Sequence, residues 1–134
     1  MAILAYIPLF GIILVVYNVM MIMGVDFNSI VFDMSSQATE GQATSQAFHV
    51  GDVIVMLGVV CLYIEVIKAT RASMASVIDH VVSLIVFIIF LIELILVKSA
   101  TTPDFLILTL MSLLDVIAGF TITISSAKRD VSIH

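Results

Sequence analysis

Ionisable side chains are scarce in this chain, so their positions are informative. Asp115 stands in the middle of an almost continuous apolar run from Pro103 to Ile124, while Glu65, Asp79 and His80 fall near the ends of two other apolar runs. Carboxyls and an imidazole can relay protons when burial brings their proton affinities toward neutrality. A polar path of Glu65, His80, Ser83 and Asp115 is therefore the sharpest chemical expectation. Helical spacing puts Ser112, Asp115 and Gly119 on one face, and Gly58, Cys61, Glu65 and Lys68 on another.

Each of these residues also has a structural reading. Glu65 can pair with Lys68 one turn on and reach the membrane interface. In Ser76-x-x-Asp79 the spacing is that of a capping box, with Ser76 as the cap and Asp79 closing it. His80, just past that start, can rest in the headgroup region. Asn18, toward the far part of the first apolar run, reads as hydrogen-bonding glue between helices. No cap or helix end accounts for Asp115. It either recognises a partner helix, handles an ion or proton, or sits protonated and hydrogen-bonded in a structural role.

Other chemistry lacks its residues. The histidines His49, His80 and His134 fall at different depths, which argues against haem or a metal centre. Cys61 is the single cysteine, and the sequence holds no glycine-rich phosphate loop and no Ser/His/Asp spacing. The methionines Met20, Met21 and Met23 read as flexible apolar packing. The expectation is a protein without metal or cofactor that is not an enzyme.

The elements that position these groups are set by composition. The chain has 134 residues, 62% hydrophobic and 11% charged, with a mean hydropathy of +1.28. Soluble domains carry near 25% charged residues, so this is the composition of an integral membrane protein. About twenty residues at 1.5 Å each cross a hydrocarbon core of roughly 30 Å. Four such runs occur, about 2–24, 50–67, 77–97 and 103–124, with a polar connection over 26–49. Within that connection Ser35–Gln46 reads as a solvated mobile loop, and Phe27, Ile30, Val31 and Phe32 as a short segment on the membrane surface. Pro8 falls in the early turns of the first run, where a missing N–H is tolerated. Thr102-Pro103-Asp104 is a helix start: a hydroxyl cap, a proline at the first position and an acid at the positive end.

The fold class expected is all-α, with four antiparallel transmembrane helices in one up-down bundle. Lys68 and Arg71 precede the third span, and Lys128 and Arg129 follow the fourth. By the positive-inside rule both groups and both termini are cytoplasmic. The net charge of −5 then gathers on the outer face, which disfavours nucleic acid as a partner. Two functional readings follow, both in a plasma membrane of bacterial type. The first is an accessory or structural subunit of a larger or homo-oligomeric membrane complex, its partners being the lipid bilayer and other subunits or copies of itself. The alternative is a proton- or ion-conducting channel or transporter subunit working through Asp115, with Glu65 and His80 on the cytoplasmic side. Counting along the helices sets Glu65 level with His80 and Asp115 about 9 Å deeper.

Overall fold

Thr102, Pro103 and Asp104 begin the longest helix, as their order dictates. Pro103 is its first residue, and the Thr102 hydroxyl accepts a hydrogen bond from the Phe105 N–H at 3.3 Å. The computed structural model describes residues 2–33, 47–71 and 73–133. Among them are four helices, α1 (Leu9–Ile22), α2 (Val50–Ala69), α3 (Met74–Leu96) and α4 (Pro103–Ile133). Three are long and apolar enough to cross a membrane: α2, α3 and the Pro103–Lys128 part of α4. The last apolar helix does not stop at Ile124, since the polar stretch after it stays helical.

The first run departs from expectation. Residues 2–24 do not form one helix, because the chain makes a 3-10 turn over Ala2–Ala5 and α1 starts only at Leu9. Pro8 is the cap of α1 instead of an early helical residue, with an extended backbone at ψ 134°. Its ring disfavours helical geometry at Ile7 and so breaks the run there. The 14 residues that remain span about 21 Å, short of the hydrocarbon thickness. At its other end Gly24 takes φ +76°, and Val25 N–H reaches back to Met20 C=O at 3.0 Å. Only glycine adopts that left-handed turn without strain.

The described part of the polar connection carries a strand pair. Strand β1 (Ile30–Asp33) pairs antiparallel with β2 (Ala47–His49), so the fold carries a small two-stranded element beside its helices. Ile30, Val31 and Phe32 are exposed on it, whereas Phe27 turns inward and stacks on Tyr17 at 4.5 Å. The expected mobile loop, Ser35–Gln46, lies outside the described residues. A carboxylate does close a helix start here, but at Asp52, which accepts from His49 N–H at 2.9 Å. The box expected at Ser76 and Asp79 is not used. Ser73 is the cap of α3 and accepts from Ser76 N–H at 3.2 Å, which moves Asp79 into the second turn.

Contacts between numbered residues give the helix directions. Gly58 of α2 faces Leu108 and Met111 of α4, and His80 of α3 faces Gly119 of α4. Thus α2 and α4 run in the same direction, and α3 and α4 oppose, as an up-down order requires. Helix α4 packs between α2 and α3, and α1 contacts those same two helices. Despite the short turn joining them, α2 and α3 barely touch. The half of the bundle nearer the hairpin is an aromatic core. Tyr17, Phe90 and Phe105 are fully buried there, with Phe90 and Tyr17 rings 5.3 and 5.0 Å from Phe105. Truncating the shared ring leaves a large cavity. Phe105→Ala should lower the unfolding free energy in detergent by about 3–5 kcal/mol, whereas Leu106→Ala, next to it on the outward face, should change it little; thermal unfolding checks both.

Candidate functional site

The other half of the bundle is polar inside. The 3-10 segment ends at Ala5 and α1 begins afresh after Pro8, so backbone groups at the break have no helical partners and need others. Glu65, on the inward face of α2, accepts from Leu9 N–H at 2.8 Å. Lys68, one turn further on α2, donates to Ile7 C=O at 3.0 Å, to Glu65 Oε1 at 3.0 Å and to Asp79 Oδ1 at 3.1 Å. An ammonium has three protons, and all three are used. Glu65 is 1% exposed and Asp79 2%. The expected pair of Glu65 and Lys68 forms, and Glu65 is buried within the bundle. Asp79 is a buried partner of Lys68 and not a capping residue, because the cap is three residues earlier.

Asp115 joins this cluster from α4. It is 3% exposed, and Glu65, Asp79 and Lys68 all act on it electrostatically, with the Ser83 side chain beside it. The three carboxyls therefore share one electrostatic neighbourhood. Asp115 Oδ2, Ser83 Oγ and Glu65 Oε2 are buried and have no hydrogen-bond partner among the described residues. Three carboxyls face one fully engaged ammonium. A low-dielectric interior tolerates unpaired charge poorly, so the cluster is short of positive charge or of protons.

His80 is buried, 4% exposed, on the side of α3 that faces α4. Its ring sits where a side chain on Gly119 would be, and its Nε2 is 3.2 Å from Ser76 Oγ. Gly119 is thus required by close approach of the ring. A cavity of about 180 Å³ borders Ser76, Val77, Thr123 and Ser126. From it the groups Ser76, His80, Ser83 and Asp115 lead inward along α3 toward α4. Ser112 is buried one turn from Asp115. Asn18 is not part of the cluster: its amide donates to Leu14 C=O of its own helix at 2.8 Å. Asp79, Lys68 and Ser76 belong to the site and were not read as such from sequence. The turn at 70–73, which decides the cap, held the only signal.

The class these features define is a small helical protein with three helices long enough to cross a membrane and an ionisable cluster inside the bundle. A scan of protein-family models and searches of curated proteins and of solved structures find no match to this chain. Function therefore has to be argued from the site. Lys68→Met would strand Glu65 and Asp79 as buried unpaired charges, at a cost of about 3–5 kcal/mol. Adding Glu65→Gln and Asp79→Asn should recover part of that loss; unfolding of the single and combined variants in micelles measures the coupling.

Proposed function

We propose that the protein is a non-enzymatic integral membrane protein that moves protons through its bundle, with Asp115 as the group that binds and releases them. The observation carrying this reading is the buried Asp115 carboxyl with an unpartnered oxygen, facing an ammonium already shared by two other carboxylates. A purely structural carboxyl at such depth needs a donor committed to it. The neighbouring groups suit proton transfer, since the hydroxyls of Ser76, Ser83 and Ser112 and the His80 ring can each donate and accept.

In this mechanism protons enter from the cytoplasmic end, past Ser76 and His80, and reach Asp115 by way of Ser83. The layer of Tyr17, Phe90 and Phe105 closes the route beyond it. Net transfer then requires that layer to part while the cytoplasmic end closes. The setting is a bacterial-type plasma membrane with both termini cytoplasmic, as the distribution of Lys68, Arg71 and Lys128 favours.

The accessory-subunit reading stands second. Two of its grounds, Gly58 and the deep carboxyl, face helices of this same chain. What favours it is the exposed apolar strand of Ile30, Val31 and Phe32, which a partner subunit could cover. Proteoliposomes with a trapped pH-sensitive dye separate the two. Asp115→Asn should reduce proton flux by about tenfold or more, on the scale of a lost relay group, with unchanged elution and unfolding temperature. A wild-type protein without flux, together with an Asp115→Asn variant that fails to assemble, would return the reading to a subunit.

A further inference from the structure

A second cavity at the α2–α3 end, about 410 Å³ in volume, shares Ser76 with the proton route but opens onto Lys68, Arg71 and Asp79 instead of leading to Asp115. Its wall joins opposite charges to an apolar strip. Arg71 lines it with a guanidinium that has no hydrogen bond or ion pair among the described residues, and Ser73 and the opening turn of α3 lie beside it. That turn carries partial positive charge. Asp79 also lines the cavity. It is 2% exposed, its Oδ1 is taken by Lys68, and no described residue donates to its Oδ2. Lys68 lines it too, its ammonium already bonded to Ile7, Glu65 and Asp79. With Ser76 and Ala5, the wall is completed by Ile64 and Ile67, which continue onto the outward apolar surface of α2.

An anion alone would match Arg71 but confront Asp79. A cation alone would match Asp79 and leave Arg71 unmatched. A ligand bearing both groups a short distance apart fits both ends, and acyl chains attached to it would run along Ile64 and Ile67. We propose that this cavity binds a phosphoethanolamine headgroup, the phosphate at Arg71 and Ser73 and the ammonium at Asp79, presented by a membrane phospholipid. Lys68, Ser76 and Asp79 are shared with the proton site, but Asp115 does not line the cavity, so loss of the lipid adduct in Arg71→Gln and loss of flux in Asp115→Asn are separate outcomes.

Native mass spectrometry of the full chain in mild detergent, with phosphatidylethanolamine, phosphatidylglycerol and phosphatidylcholine added in equal amounts, tests it. The phosphatidylethanolamine adduct should dominate by about tenfold, the discrimination expected of one charge-assisted hydrogen bond. Arg71→Gln, at an exposed position, should lose that adduct, and Asp79→Asn should shift preference to phosphatidylglycerol. Displacement by soluble phosphoethanolamine would support the headgroup chemistry with a soluble source; failure to displace would support the lipid. Equal retention of phosphatidylglycerol and phosphatidylethanolamine by the wild type overturns the proposal, as does an unchanged adduct in Arg71→Gln. Because the Arg71 guanidinium makes no internal bond among the described residues, that variant decides the matter even if Asp79→Asn does not fold.

Discussion

One ammonium holds the polar half of this bundle together. Lys68 donates to oxygens from three places in the chain: Ile7 beside the Pro8 break, Glu65 on its own helix and Asp79 on α3. Glu65 in turn receives the first free N–H of α1. The broken start of α1, the end of α2 and the start of α3 are therefore pinned to a single point. Burying such a set brings little net stability, because desolvation offsets most of the attraction. Its effect is geometric. Any slide of one helix against another would leave a buried oxygen or N–H without a partner, and that cost is steep.

The pinned end and the aromatic end divide the bundle between them. Ring-on-ring packing around Phe105 fills one half, so polar groups can be gathered only in the other. Glycines set how closely α4 approaches on each side. Gly58 admits Leu108 and Met111, and Gly119 admits the His80 ring. With α4 held at two depths, the face carrying Thr109, Ser112 and Asp115 is turned inward and all three are buried. The position of Asp115 is thus a consequence of how its helix is seated, and not of any bond it makes itself.

Much of this was legible in sequence where the cause is local. The start of α4 follows from Thr102-Pro103-Asp104, and the long apolar runs mark α2, α3 and α4, because caps and composition act over a few residues. The start of α3 was not legible. Ser73 and Ser76 are both competent caps, and the choice depends on where α2 ends. Choosing Ser76 makes Asp79 a cap; choosing Ser73 makes it a buried partner of Lys68. The break in α1 was hidden because Pro8 interrupts an apolar pattern without changing its polarity. The hairpin pairs residues across a long connection, which periodicity cannot reveal. Depth counting put Glu65 and His80 near one level, but the rotation of α4 about its axis, which turns Asp115 toward Glu65 and Asp79, is a property of packing.

The unequal treatment of the three carboxyls is the strongest argument that the cluster is more than a staple. Glu65 serves a helix start and an ammonium, and Asp79 serves the same ammonium. Both would be needed in a bundle that merely had to hold α1 in place. Asp115 serves neither purpose. Removing it would leave every hydrogen bond at the Pro8 break intact, and an apolar residue on that face of α4 would pack without any desolvation cost. A bundle under pressure for stability alone has no physical reason to keep a carboxyl there, next to two others and beside a hydroxyl that can either donate or accept. What such a group can do, and an apolar replacement cannot, is change its charge when a proton arrives. The surrounding charges are close enough to respond when it does.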